Sequence, residues 1–353
     1  MFLLKEYLYN LVTYKTKGPF ATFLRGLLFV FSLVYGLLVT ILAAIYKLHP
    51  ARVNCKVISV GNITLGGTGK TSLVEYLAQK ISQHGNKVVV LSRGYKRNSK
   101  HLGMQGMGDE PEMLQRKLPK VPVIVDKDRL RAATSAINDY AADTIILDDG
   151  LQQWRISKDL EIVTIDTGNP FGNSRLLPAG FLREPLGTLK RADVFVLTQA
   201  NLEQERSDLI ARLQQLNPRA LIVESRHEPQ GFSNLNDPDK ILNPDSLKGR
   251  SALVFSGIGN PLAFEKTVTC LGINFADALR FDDHYNYTQT DLDAIVKSAK
   301  ERKLDTIITT EKDAIKISRL KINHANIFSL NIKLVINKNE TEFDRRLLKL
   351  FSL

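Results

Sequence analysis

The chain contains one long apolar segment, followed by a series of short apolar runs. No charged residue occurs among the 21 positions from Gly26 to Tyr46. A helix of that length rises about 30 Å, the thickness of a bilayer core. After residue 56 the apolar runs become short and alternate with segments of helical spacing. The first pattern predicts a membrane-associated helix, and the second predicts an α/β fold.

The short runs are interpreted as strands. Strands joined by helical crossovers favour a doubly wound, mostly parallel sheet with helices on both faces. The runs are KVISVGN, KVVVLSRGY, VPVIV, TIILDD, LEIVTIDT, DVFVLTQ, SALVFSGIGN, INFADALRF and DTIITTEKD.

Composition along the chain suggests four segments. Residues 1–50 are predicted to form an N-terminal membrane-associated helical segment, and residues 51–224 an ATP-binding α/β domain. Residues 225–250 are rich in Pro, Asn and Asp and are expected to be a connector, not a core element. Residues 251–353 are expected to form a smaller second α/β domain. The active site would then lie in the cleft between the two domains, and domain closure would exclude water.

Length and composition agree with a two-domain globular chain. The 353 residues include 44% hydrophobic residues, enough for a substantial core. The formal net charge of +11 suits nucleic acid, anionic lipid or a phosphorylated substrate as a partner. Cys55 and Cys270 are far apart and show no metal-binding spacing, so a reducing cytosolic compartment is expected.

The flanks of the apolar segment are basic on both sides. Residues 1–56 contain seven Lys or Arg residues and one acidic residue, Glu6. The positive-inside rule therefore gives no orientation, and the pattern suits a helix lying in the cytoplasmic leaflet as well as one that spans it. The structural alternative is a buried core helix.

The stretch from Lys56 to Lys80 has the order strand, Gly-rich loop, helix that is typical of a P-loop. Glycines let the backbone approach phosphate oxygens, and the helix N-terminus adds N–H donors and a favourable dipole. Lys70 is predicted to reach the β- and γ-phosphates, and the Thr71 hydroxyl to bind Mg²⁺. Thr64 stands where the usual pattern begins with Gly. The predicted ATP-binding residues are Thr64, Leu65, Gly66, Gly67, Thr68, Gly69, Lys70 and Thr71.

An acidic pair follows the strand TIILDD. Strand C-termini line the ligand crevice of open α/β sheets, so Asp148 and Asp149 are candidate Mg²⁺ ligands together with Thr71. One Asp would hold the metal shell while the other orients it or caps the next turn, and the sequence leaves the assignment open. A turn and helix cap without metal is the structural alternative.

Three reaction classes remain open at this point: a GTPase switch, an ATPase motor or loader, and a small-molecule kinase. A guanine-reading Asn-Lys-x-Asp motif after a strand is missing, and NKNE at Asn337–Glu340 is a weak match. A kinase needs an acceptor for the proton of the attacking hydroxyl, and MGDEPEML offers Asp109 and Glu110. Acidic residues also suit the first turn of a helix for structural reasons.

Eight motifs follow one another along the chain: GNITLGGTGKT, LSRGY, GDEP, DDGLQ, LLPAGFLREP, FSGIGNP, DDHYNYT and TTEKDAIK. In this order they resemble tetraacyldisaccharide 4′-kinase, the lipid A 4′-kinase family of Gram-negative bacteria. The resemblance extends from the N-terminal apolar helix to about Lys316. It implies a P-loop kinase that transfers the γ-phosphate of ATP, with Mg²⁺, to the 4′-hydroxyl of a tetraacylated disaccharide 1-phosphate.

The resemblance also implies a cellular setting and roles for individual residues. The partners would be the lipid A precursor and the cytoplasmic membrane, at the cytoplasmic face of the bacterial inner membrane, and no nucleic acid. Asp109 matches the family's proposed general base, and His284 matches its partner in an Asp–His pair. Lys70 of the P-loop is the third predicted catalytic residue. The further candidates for contact with substrate or phosphate are Arg93, Glu110, Gln152, Arg183 and Glu184.

The chain departs from the family at two places. Gln153 stands where the family usually has His, so an imidazole role there is lost or replaced by an amide. Lys96 and Arg97 follow SRGY, where the family is Gly-rich, so this loop is expected to be more basic. Two rival functions remain: a membrane-associated P-loop ATPase acting on a protein partner, and a binding module for anionic lipid or nucleic acid.

Overall fold

The structure is a computed structural model that describes residues 2–94, 107–198, 206–323 and 326–351. Its strands coincide with the predicted apolar runs over most of the chain. The strands are β1 Lys56–Gly61, β2 Val88–Ser92, β3 Val123–Val125, β4 Thr144–Asp148, β5 Leu160–Asp166, β6 Val194–Thr198, β7 Leu221–Asn234, β8 Asp237–Leu242, β9 Ser251–Ser256, β10 Asn274–Arg280, β11 Thr306–Thr310 and β12 Ile327–Lys338.

Helices alternate with these strands, as the spacing of apolar residues predicts. Two of them precede the first strand. The helices are α1 Phe2–Val12, α2 Pro19–Leu48, α3 Lys70–Gln83, α4 Asp109–Lys117, α5 Arg129–Tyr140, α6 Ser207–Leu216, α7 Pro261–Cys270, α8 Gln289–Glu301, α9 Glu311–Ile317 and α10 Glu340–Leu348.

Within the described residues the strands form one sheet in the order β10-β9-β11-β12-β7-β6-β5-β1-β4-β2-β3, with β8 paired to β7. Neighbouring strands are parallel except at the β7–β12 and β7–β8 pairs. Strands β2, β4, β6 and β11 are buried along their whole length, which explains their uninterrupted apolar sequences. The predicted mostly parallel α/β fold is confirmed.

Helices cover both faces of the sheet. On one face α3 packs Leu73 and Leu77 against the central strands, and Phe343 of α10 joins the same cluster. On the opposite face Ala132 and Ala136 of α5 pack against β2 and β4. β4 pairs in parallel with both β1 and β2, so the carboxyl ends of these three strands lie at one edge of the sheet. A doubly wound fold binds its ligands at this edge.

The segment 225–250 corrects one expectation. It was predicted to be a connector without core structure, but it contains most of β7 and all of β8. β7 pairs with β6 through its first residues and with β12 along the rest, in an antiparallel ladder from Glu224 to Asn234. Its polar residues mark a half-exposed ribbon instead of a loop. The proposed boundaries between domains stay a prediction.

The apolar helix α2 runs from Pro19 to Leu48, longer at both ends than the predicted segment. Its only buried residues are small and lie on one stripe: Ala21, Ser32, Gly36 and Ala43. The rest of its surface exposes large apolar side chains, among them Phe20, Leu37 and Leu48. This exposure argues against the alternative of a core helix.

Candidate active site

The loop between β1 and α3 has the local geometry expected of a phosphate-binding loop. Gly69 adopts φ +76°, a left-handed conformation that favours glycine, and α3 begins at the next residue. The first N–H groups of a helix have no intrahelical partner, so they remain available to an anion. Leu65, Gly66 and Gly67 are exposed at the tip of this loop.

Lys70 is held beside the loop by a polar and an acidic partner. Its Nζ donates to Asn62 Oδ1 at 3.0 Å and lies 3.7 Å from Asp149 Oδ1. Asn62 is fully buried, and its Nδ2 donates to the carbonyl of Thr64 at 2.8 Å. Asn62 therefore orients both the lysine and the first residue of the loop. The half-buried Thr71 follows Lys70 in the first turn of α3.

Thr68 connects the P-loop to strand β5. Its hydroxyl lies 2.7 Å from that of Thr164 on β5, and the Thr164 hydroxyl donates to the carbonyl of Gly61 at 3.2 Å. Because Thr164 has already used its proton, Thr68 is the donor in the first bond. Both threonines are buried. The Thr68 side chain thus fixes the loop to the neighbouring strand.

Asp148, the last residue of β4, is an almost fully buried carboxylate. Ser92 at the end of β2 donates to Asp148 Oδ2 at 3.1 Å. Burial raises the pKa of Asp148 to about 7, and the negative charges of Glu110 and Asp149 add to the shift. The carboxylates of Asp148, Asp149 and Glu110 thus repel one another more than the nearby Lys70 offsets. A divalent cation would relieve that excess.

Asp149 follows in a left-handed conformation, with φ +58°. Arg183 Nη1 donates to its two oxygens at 2.8 and 2.9 Å, and also to Gln152 Oε1 at 3.0 Å. Burial works to raise the pKa of Asp149, but the positive charges of Lys70 and Arg183 hold it below its ordinary value. The structure thus brings Lys70, Asp149, Gln152 and Arg183 together.

Glu184 is fully buried behind this group. Its two oxygens accept hydrogen bonds from Arg191 Nη1 and Nη2, each at 2.7 Å, and Gln152 Nε2 donates to Oε1 at 3.2 Å. Both oxygens are therefore engaged inside the protein. Glu184 orients Gln152, which in turn accepts from Arg183.

The Asp–His pair is formed by residues that are far apart in sequence. His284 Nδ1 lies 3.6 Å from Asp109 Oδ2 in the first turn of α4, and each side chain is 16% exposed. This separation is longer than a hydrogen bond, and a small approach of the two loops would close it. His284 adopts φ +60°, and its backbone N–H donates to the carbonyl of Gly257 at 3.2 Å.

Asp109 is ionised in this environment. Burial works to raise the pKa of Asp109, but His284, Lys316 and Lys312 together hold it below its ordinary value. Lys316 is itself buried, with Nζ 3.6 Å from Asp109 Oδ2 and 3.4 Å from Oδ1 of the fully buried Asp313. Asp109 can therefore accept a proton or a hydrogen bond.

The loop after β9 approaches the P-loop and the His284 loop. A side chain at Gly259, after β9, would lie 3.5 Å from the backbone nitrogen of Gly67 and 3.5 Å from Asp283 Oδ2. Glu110 is close enough to Asp148 to influence its ionisation. The Asp109–Glu110 turn, the His284 loop and the P-loop thus surround one polar site.

The other predicted residues are less closely placed. Arg93 is exposed directly after β2. The last residue of LSRGY, Tyr95, and the basic residues Lys96 and Arg97 lie outside the described residues. Gln153, which replaces the usual His of the family, lies half-buried in the turn after Asp149, with its N–H bonded to the carbonyl of Gly150 at 2.9 Å.

Sequence reasoning missed several supporting residues. Asn62, Arg191, Lys312 and Lys316 were not singled out, although three of them lie within quoted motifs. Lys312 and Lys316 are four residues apart in TTEKDAIK, and this spacing places both on one face of a helix. That spacing was the available signal. Arg191 shows none, because its role depends on a buried partner.

Comparison with known proteins agrees across sequence and structure. The sequence profile of the family described as tetraacyldisaccharide-1-P 4′-kinase matches residues 24–352. A tetraacyldisaccharide 4′-kinase of Halothermothrix orenii is 37% identical over 365 residues, 94% of each chain. One of Elusimicrobium minutum is 38% identical, covering 83% of this chain and 81% of the relative. The solved structure of LpxK from Aquifex aeolicus in complex with ATP superposes with a TM-score of 0.73 at 30% identity, covering 93% of this chain and 100% of that one.

Proposed function

The chain belongs to the tetraacyldisaccharide-1-P 4′-kinase family, and we propose that the P-loop, the Asp148–Asp149 pair and the Asp109–His284 pair perform its phosphoryl transfer. The enzyme is a lipid A 4′-kinase: it transfers the γ-phosphate of ATP to the 4′-hydroxyl of a tetraacyldisaccharide 1-phosphate, giving lipid IVA. Family membership does not favour the alternative of an ATPase that acts on a protein partner.

The approach of Asp109 to His284 carries the assignment of the base. The 4′-hydroxyl is a weak acid until its oxygen begins to bond to phosphorus, when its proton becomes strongly acidic. An ionised carboxylate placed beside it accepts that proton during the transfer. Asp109 supplies the carboxylate, and His284 orients it from the opposite loop.

Lys70, Arg183 and the P-loop amides are proposed to bind the phosphates. Phosphoryl transfer spreads negative charge over the transferred group, so catalysis rests on cations and N–H donors held in place beforehand. Lys70 is presented by Asn62, and Arg183 by Asp149 and Gln152. These hydrogen bonds restrict the rotamers of Lys70 and Arg183 in advance, so little conformational entropy would be lost when phosphate binds.

Mg²⁺ is the proposed second cofactor. Among the described residues no three His, Cys, Asp or Glu side chains form a metal site by themselves. Kinase Mg²⁺ sites need only one or two carboxylates, because substrate phosphates and water supply the other oxygens. Asp148, with its raised pKa of about 7, suits this role together with Asp149 and the Thr71 hydroxyl. When bound, the metal would neutralise charge on the phosphates.

The membrane is the proposed location of the substrate encounter. The buried stripe of α2 runs from Ala21 to Ala43, about 33 Å along the helix axis at 1.5 Å per residue. Beside it the exposed Arg175 stacks on Phe29, 5.4 Å from the ring centroid. If α2 spanned the bilayer, the part of the α/β domain that packs along it, including the charged Arg175, would have to enter the hydrocarbon. The free-energy cost of burying such charge in lipid is high. We therefore propose that α2 lies in the interface of the cytoplasmic leaflet.

The proposal is tested by the rate of 4′-phosphorylation in detergent micelles, measured by mass spectrometry of the lipid. Asp109→Asn should lower the rate by about 10² to 10⁴, because the proton acceptor is lost. Asp239→Asn is a matched control, since Asp239 is exposed on β8, a strand that contributes none of the proposed site residues. Equal rates for Asp109→Asn and the control would contradict the proposed base.

A further inference from the structure

Helix α9 contributes a lysine that contacts the Asp–His pair from the side away from Asp109. Lys312 lies one turn before Lys316, and both side chains point toward the same cluster of acidic residues. Lys312 is only 16% exposed at its side chain. No role in the reaction described above requires it.

The Lys312 ammonium has three partners for three protons. Its Nζ lies 3.3 Å from Glu110 Oε1, 3.2 Å from Asp283 Oδ1 and 3.2 Å from His284 Nε2. Burial works against the charge, but the carboxylates of Glu110 and Asp283 raise the pKa of Lys312 above its ordinary value. Lys312 is therefore a charged donor, and an ammonium group has no lone pair with which to accept.

The contact with His284 fixes the state of the imidazole ring. A donor at Nε2 requires a lone pair on Nε2, which only the neutral ring with its proton on Nδ1 provides. Nδ1 is the ring nitrogen that faces Asp109, at 3.6 Å. The proton of that tautomer is thus directed at the carboxylate, where a small approach makes it a hydrogen bond.

We propose that Lys312 is a positioning residue that holds His284 as the neutral Nδ1–H tautomer, so that the ring directs a donor at Asp109. This inference rests on the proposed function of the Asp109–His284 pair. A neutral imidazole orients the Asp109 carboxylate by donating to it. An imidazolium would instead stabilise the ionised carboxylate and make it a weaker acceptor for the hydroxyl proton.

The charged groups around His284 determine how the loss of Lys312 would change the ring. Three carboxylates lie within 4.0 Å of the His284 ring, from Asp109, Glu110 and Asp283, and all favour an imidazolium. Lys312 is the cation that opposes them at Nε2. Lys316 lies on the far side, beside Asp109. Removing the charge of Lys312 should therefore weaken the preference of His284 for the Nδ1–H tautomer.

The tautomer is measured directly by NMR. Protein labelled with ¹⁵N-histidine gives two-bond ¹⁵N–¹H correlations that distinguish the two tautomers from the imidazolium, and a His284→Gln sample assigns the signal among the six histidines. The parent should show His284 with an unprotonated Nε2 and a protonated Nδ1. A parent signal from the opposite tautomer, at a pH of full activity, would overturn the proposal without any Lys312 variant.

The second readout is the pH profile of kcat/KM for 4′-phosphorylation. Lys312→Met should move the acid-side midpoint upward, because Lys312 helps to hold the pKa of Asp109 below its ordinary value. Lys312→Arg, which keeps the charge, should restore most of the parent profile. Lys297→Met removes a lysine from an exposed pair on α8 and should leave the profile unchanged.

The possible results distinguish the role of Lys312 from the role of Asp109 as the base. An unchanged His284 spectrum in Lys312→Met, with Asp109→Asn still strongly slowed, would overturn the role of Lys312 alone. Full activity of Asp109→Asn would instead overturn the proposed function on which it rests.

Discussion

The buried pair of Glu184 and Arg191 gives the sharpest stability prediction. Glu184 is fully buried, and each of its two oxygens accepts a hydrogen bond from Arg191 at 2.7 Å. Glu184→Gln keeps the shape of the side chain but removes its charge. The guanidinium of Arg191 then loses its principal counter-charge in a largely buried place.

The magnitude follows from what remains around Arg191. Removing one partner of a buried ion pair typically costs about 3–5 kcal/mol, because the other charge stays buried without compensation. Arg191 keeps the carbonyl of Leu151 at 2.8 Å and Glu161 at 3.7 Å. We therefore expect the lower end, about 3 kcal/mol, which is a large share of the stability of a typical protein. At about 2 °C per kcal/mol, the melting temperature should fall by about 6 °C.

Differential scanning fluorimetry of the parent and of Glu184→Gln in the same detergent measures this change. Glu301→Gln is the matched control, since it removes the charge of the exposed Lys297–Glu301 pair. That pair should contribute less than about 1 kcal/mol. A Glu184→Gln melting temperature equal to that of the control would refute the view that this buried pair supports the site.

Two further predictions concern Asp148 and helix α2. The pKa of Asp148 is near 7 in the folded state and about 3.9 when unfolded, so the folded state binds the extra proton between these values and stability should fall as the pH rises toward 7. Thermal midpoints from pH 5 to 8 should show this decline in the parent and less of it in Asp148→Asn; parallel curves would contradict it. A side chain at Gly36 would come within 2.6 Å of Leu176 Cδ1, whereas one at Gly26 meets nothing within 4 Å. Gly36→Leu should therefore raise the KM for the lipid and Gly26→Leu should not, and equal KM values would show that α2 does not dock as described.

The parts of the fold that could be predicted depend on local signals. The strand KVISVG and the loop after it were recognised because a buried parallel strand, glycines and a helix start lie within 25 residues. Likewise Asp148 and Asp149 were placed correctly at a strand end, because carboxyl ends of parallel strands share one edge. In each case the sequence neighbours are also the spatial neighbours.

The parts that escaped prediction depend on pairings between distant residues. β7 carries charged and polar residues because its partner is the distant β12, in a half-exposed antiparallel ribbon. Its alternation is broken by Pro229 and Gly231, where the register shifts, so the pattern resembled a loop. Lys312 lies more than 200 positions from Glu110, and no local pattern reveals that contact.

Resemblance to the family compensated for part of this limit. Asp109 and His284 are 175 positions apart, and their association was expected only from the order of the motifs GDEP and DDHYNYT. The structure places them 3.6 Å apart. The motifs did not reveal which residues support the pair, because support comes from burial and charge at α9.

The central claim is most directly tested by the coupling of ATP consumption to lipid phosphorylation. Purified protein is incubated with ATP, Mg²⁺ and tetraacyldisaccharide 1-phosphate in micelles, and the ADP formed and the lipid phosphorylated are measured in the same samples. The account predicts equal amounts of both products, and no ADP above background when the lipid is omitted. ADP formed at the same rate without the lipid, with no phosphate on the lipid when it is present, would contradict it.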